Sequence, residues 1–103
     1  MINVNLLLKK ENIVGFEISG HADYDEYGKD IVCSAVSILA YTCVNTLELY
    51  IDDFSFTDDD EIMKLMAYQT NEKAEVVFTS FKTGIWTLEQ SYNNFVKLNY
   101  KEI

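Results

Sequence analysis

The chain has 103 residues, 49% of them hydrophobic and 14% aromatic, with four glycines and no proline. That describes one packed domain spanning residues 1–103 and excludes a disordered or linker-built chain. The formal net charge of −9 argues against direct nucleic-acid binding, which needs clustered Lys and Arg.

Ile2, Val4, Leu6 and Leu8 alternate with Asn3, Asn5 and Leu7, predicting a half-buried strand. The same stretch lacks the basic n-region of a signal peptide, and none is expected. Residues 9–12 are a polar break of hairpin length. Val14, Phe16 and Ile18 then alternate with Gly15, Glu17 and Ser19 as a second strand, antiparallel to the first. It ends at Ser19-Gly20, so His21, the only histidine, falls where sheet gives way to loop.

Residues 31–50 form a helix, too long for a strand and apolar over most of its surface. Ser34, Ser37, Tyr41, Asn45 and Glu48 recur at helical spacing as its one polar stripe. Such a helix should be largely buried, against a sheet on one side and a second helix or subunit on another. Asp30 reads as its N-cap. Asp52-Asp53 ends it, and residues 54–56 make a short extended piece.

The run Asp58-Asp59-Asp60-Glu61 lacks the spaced ligands and glycine of a calcium loop and reads as a solvated turn. Residues 62–68 and 74–78 read as strands joined at Asn71-Glu72. Ile85, Leu88, Tyr92, Phe95 and Val96 space as a helical face capped by Ser80 or Thr83. Residues 98–103 add a short edge strand or a tail. The order ββαββα, with that last strand optional, predicts an α+β fold. It has two layers: a mostly antiparallel sheet, with two helices on one face. No apolar run approaches the roughly 18 residues of a membrane span.

Two cysteines, Cys33 and Cys43, lie ten residues apart, about 15 Å along a helix, beyond the roughly 7 Å Cα separation a disulfide allows. Free thiols point to a reducing, cytoplasmic setting. Counted from Asp30 as N-cap, Cys33 is the third helical residue, near unpaired N–H groups and the positive end of the helix dipole. Both favour thiolate, so its pKa is expected below the reference of about 8.5. His21 could then hold the proton, and the N–H groups of the helix start could bind a developing oxyanion. Ser37, one turn after Cys33, could orient the sulfur or the substrate. Asp30 could orient His21 if capping did not already use its carboxylate. Gly20 and Gly28 bound the intervening loop as potential hinges of a lid.

Each residue has a plainer reading. A cysteine in an apolar helix commonly serves as a small hydrophobe, and a lone loop histidine is commonly just solvated. Cys43, mid-helix, reads as core. His21, Cys33 and Cys43 lack the paired spacings of structural zinc. From the residues alone, function stops at thiol chemistry.

Gly20-His21-Ala22, then Tyr27-Gly28, Asp30-Ile31-Val32-Cys33 and Ala35-Val36-Ser37 closely resemble the ribosomal-processing cysteine protease family Prp. The resemblance continues through Asn45-Thr46-Leu47-Glu48 and covers essentially the whole chain. It implies a protease of Firmicutes and related bacteria that removes a short N-terminal extension from a large-subunit ribosomal protein. Cys33 matches the family nucleophile and His21 its partner base, with Gly20, Asp30 and Ser37 at supporting positions. It also implies a homodimer with no metal or organic cofactor. Ser34 stands where members often carry Ala. The acidic stretch Asp23-Tyr24-Asp25-Glu26 could attract a basic substrate or simply keep the loop solvated.

The expected protein is therefore a cytoplasmic cysteine endopeptidase with a Cys33–His21 dyad, acting through a thioester. A non-enzymatic, ribosome-associated peptide-binding or assembly module is the alternative from another class. A redox-responsive thiol is the third.

Overall fold

Seven elements follow in the order ββαββαβ. They are seen in a computed structural model that describes the backbone of residues 1–20 and 28–103, with side chains for residues 1–20 and 31–103. β1 (Ile2–Lys9) and β2 (Asn12–Gly20) form an antiparallel hairpin. Its two-residue turn, Lys10-Glu11, has φ of 52° and 70°. Both values are left-handed, as the tight turns that match the twist of a hairpin require.

α1 (Gly28–Leu47) leads to the hairpin of β3 (Phe54–Asp58) and β4 (Ile62–Ala67), and α2 (Glu72–Ser91) to β5 (Val96–Glu102). The sheet order is β3-β4-β2-β1-β5. All neighbours are antiparallel except β5, which runs parallel to β1.

Both helices cover one face, giving the expected two-layer α+β domain. Ile2, Val4, Leu6, Phe16 and Ile18 from the sheet share one core with Val32, Val36, Ala40, Cys43, Val44 and Leu47 of α1. Ala74, Val77, Phe78, Phe81 and Ile85 of α2 complete it. Spacings of three and four residues place each helical set on a single stripe. The helices meet where Gly84 of α2 faces Leu39 of α1, since a Cβ at Gly84 would lie 2.6 Å from Leu39 Cδ2.

Several local expectations give way. Residues 74–78 are not a strand but the first turns of α2. Asn71 caps that helix, its Oδ1 accepting the Ala74 N–H at 2.8 Å, and Glu72 and Glu75 lie favourably in the first turn. Val76 is 68% exposed while Val77 and Phe78 are buried, a helical and not an alternating pattern. The β preference of the two valines yields to the cap and the core. Ser80 and Thr83 are therefore mid-helix residues, not caps, and the Thr83 hydroxyl donates back to Thr79 O at 2.9 Å. Tyr92 is the C-cap, and Val96 already belongs to β5. The extended piece after α1 is a full strand, which keeps two strands between the helices.

α1 also starts earlier than expected. Asp30 is its third residue and not its N-cap, which makes Cys33 its sixth residue. Residues 48–50 are a turn. Nor is α1 covered all round: Ile31 is 59% and Ile38 67% exposed. The cysteines are both free. Among the described residues, no helix is long and apolar enough to cross a membrane.

Candidate active site

A cleft of about 230 Å³ opens where α1 passes the ends of β2, β3 and β4. Helix α1 contributes Cys33, Val36 and Ser37, and the central strands contribute Ile2, Ile18, Ser19 and Gly20. The far wall is Asp58, Asp60, Glu61 and Met63, from the β3–β4 turn and its flanks. Three of the five residues singled out in the sequence, Gly20, Cys33 and Ser37, thus meet in one cleft. The side chain of Asp30 and the whole of His21 lie outside the described residues.

Each position follows from local structure. Cys33 lies between Val32, on the core stripe, and Ser34, which faces solvent, so its thiol is half-buried at the edge of the helix contact. Ser37 follows one turn later at the same depth. Gly20 ends β2 opposite Ile2, with a φ of +90° that L side chains rarely adopt. A Cβ there would also overlap the carbonyl oxygen of Met1. Only glycine fits both conditions, and the chain leaves the sheet at the rim of the cleft.

Cys33 is the sixth residue of α1 and not the third, one turn further from the helix start than the sequence suggests.

The other thiol is unlike it. Cys43 is buried in the core, and burial pushes its pKa up to about 12. It is a hydrophobic residue, as its mid-helix place implied.

The acidic wall was missed as part of the site. The run reads locally as a solvated turn; Asp58 is the last residue of β3, and residues 59–61 form the exposed turn. Asp59 Oδ1 accepts the N–H groups of Glu61 at 3.0 Å and Ile62 at 2.8 Å. These bonds hold its carboxyl below the usual carboxylate range. Only the pairing of β4 with β2 brings that turn beside Gly20, and no sequence-local signal carries this pairing. Among the described residues, no group of three or more His, Cys, Asp or Glu could hold a metal ion.

A family model described as cysteine protease Prp matches residues 1–97. The ribosomal processing cysteine protease Prp of Staphylococcus aureus is 30% identical over 106 residues, covering 98% of this chain and 100% of that protein. The protein of the same name from Bacillus subtilis is 23% identical over 96 residues, covering 85% and 86%. Among solved structures, a Streptococcus mutans protein superposes with a TM-score of 0.83 at 33% identity, covering 100% of this chain and 96% of its own. The S. aureus ribosomal processing protease Prp in complex with a substrate peptide gives 0.86 at 29% identity, covering 98% and 100%. The same S. aureus enzyme with a covalently linked product peptide gives 0.84 at 28%, with the same coverage. A family model matching nearly the whole chain, and a fold shared along its length with these proteins, with a half-buried thiol in a cleft at the ends of the central strands, make this chain a member of the cysteine protease Prp family.

Proposed function

We propose that the protein is a cytoplasmic endopeptidase that removes the N-terminal extension of a large-subunit ribosomal protein, with Cys33 as nucleophile and His21 as its base. The observation that carries this reading is the cleft shared by Cys33, Ser37 and Gly20. His21 directly follows Gly20 in the sequence. The relatives named for ribosomal processing, one of them solved with a covalently linked product peptide, support the choice of substrate and of nucleophile.

In this mechanism Cys33 Sγ attacks the carbonyl carbon of the scissile bond while His21 takes the thiol proton. The C–N bond of the tetrahedral intermediate breaks, His21 gives the proton to the leaving amine, and a thioester remains on Cys33. Water, deprotonated by His21, attacks the thioester. The C–S bond breaks, the acid product leaves, and the proton returns to the thiol. Asp30 and Ser37 act as supporting residues. The carboxylates of Asp58, Asp60 and Glu61 along the cleft suit a peptide rich in Lys or Arg. No metal or organic cofactor takes part in this scheme.

The same reading makes the protein a homodimer. Ile31 and Ile38 form an exposed apolar strip on α1, bordering a shallow surface that continues over Leu39 and Leu88. A second copy covering that surface would bury it. Sedimentation of the wild type at the mass of two chains, and of Ile38→Asp at the mass of one, is the expected result.

The deciding experiment is mass spectrometry of the organism's extended ribosomal protein after incubation with wild type and with Cys33→Ala. A single cut near the N-terminus, absent with the variant, is expected. An intact substrate that co-purifies with both proteins would replace the protease by a binding module.

A further inference from the structure

Tyr41 lies eight residues after Cys33 on α1, about two turns along the same helix. Its ring stands edge-on to Phe56 of β3, with centroids 5.4 Å apart and an interplanar angle of 77°. Its hydroxyl donates a 2.6 Å hydrogen bond to Asp58 Oδ2. Asp58 ends β3 and lines the Cys33 cleft, and its Oδ1 accepts the Asp60 N–H at 3.1 Å. β3 is an edge strand whose sheet neighbour is β4. The turn that follows it is exposed, so sheet pairing secures one side of this hairpin and leaves the side facing α1 to other contacts.

We propose that Tyr41 and Asp58 form a latch that fixes the β3–β4 turn, and with it the acidic wall of the cleft, against the helix carrying Cys33. Both are positioning residues that act through the wall and do not touch the reacting atoms. With the latch closed, Asp58, Asp60 and Glu61 face Cys33 across the cleft and a peptide is held between two sides. With it open, the turn swings away on β4 and the peptide loses one side, while the thiol keeps its place on α1. The signature is therefore weakened peptide capture with unimpaired chemistry. The proposal rests on Cys33 being the nucleophile.

The test combines kinetics with a readout that needs no substrate. On a fluorogenic peptide copying the N-terminal extension of the ribosomal substrate, Tyr41→Phe keeps the ring but loses the hydroxyl. It should raise KM roughly fivefold, the worth of one such bond, and leave kcat within about twofold. Asp58→Ala loses the latch and a cleft carboxylate together, so it should raise KM further, and the double variant no more than Asp58→Ala. Asp58→Asn keeps the latch, since its amide can donate to Tyr41 while its oxygen accepts from Asp60, but it loses a cleft charge, so it is read by the thiol access ratio and not by KM.

In parallel, the rate at which a bulky maleimide modifies Cys33, divided by the rate for iodoacetamide, should rise in Tyr41→Phe and return in Asp58→Asn. An unchanged KM and an unchanged ratio in Tyr41→Phe would overturn the latch. So would a fall confined to kcat, or an Asp58→Asn variant whose maleimide ratio is as high as that of Asp58→Ala. If the wild type cuts no peptide, the protease reading fails. The maleimide ratio then decides the latch alone, a rise upholding it and a constant value overturning it.

Discussion

The ring of Phe81 on α2 lies nearly parallel over Phe16 on β2, with centroids 4.5 Å apart and an interplanar angle of 22°. Both side chains are almost wholly buried, and their stack ties the middle of the sheet to the second helix. Phe81→Ala should cost about 3–5 kcal/mol, the range for emptying a buried aromatic site. Phe81→Leu keeps most of the buried area and should lose about 1 kcal/mol of ring stacking. Urea denaturation of the three proteins checks the order.

Asn71 works in two directions at the start of α2. Its Oδ1 accepts from the Ala74 N–H at 2.8 Å, and its Nδ2 donates to Tyr50 O at 3.0 Å. Asn71→Ala should lose about 1–2 kcal/mol, since both the cap and the tie to the end of the α1 segment go. Asn71→Asp keeps the acceptor and loses the donor, so its thermal midpoint should fall between those of wild type and Asn71→Ala.

The β1–β2 turn places Lys10 and Glu11 in left-handed conformations that side chains with a Cβ resist. Lys10→Asn with Glu11→Gly supplies the residues such turns prefer. The Lys10 N–H that donates to Glu102 Oε1 at 3.1 Å is retained in the double variant. It should be more stable than wild type by about 1 kcal/mol. A lower midpoint in urea would contradict that account of the turn.

The raised pKa of Cys43 sets an alkaline limit on stability. In the unfolded chain the thiol ionises near pH 8.5, whereas in the fold it holds its proton to about 12. The folded state therefore binds more protons in that window. The stability from neutral Cys43 is fully present below about pH 8.5 and falls by up to about 1.4 kcal/mol per pH unit as pH rises towards 12. Chemical denaturation at pH 8 and pH 10 should show a steeper loss for wild type than for Cys43→Ala. Iodoacetamide should modify Cys33 in the folded protein and reach Cys43 only on unfolding.

What the sequence disclosed, and what it withheld, follows the range of each interaction. Alternation in β1 and β2 and the long apolar stretch of α1 are periodic signals, and these elements form as read. Valines at 76 and 77 spoke locally for a strand, but the preference of two residues is small beside a cap and five buried helical positions. Gly20, Cys33 and Ser37 were legible as a set and do line one cleft. Asp58, Asp60 and Glu61 were legible only as a solvated turn, because their place in the site depends on β4 lying beside β2. The pairing of β5 with β1 joins residues 2–8 to 96–102 and is equally non-local.

The cleft takes its walls from Ile2 and from within residues 18–20, 33–37 and 58–63, four parts of the chain that only the folded sheet and α1 bring together. Its assembly waits for β4 to pair with β2, a non-local and hence late kind of contact. A chain that has formed α1 but not yet the β3–β4 hairpin therefore carries Cys33 without the acidic wall of the cleft. Completion of the cleft is thus tied to closure of the sheet.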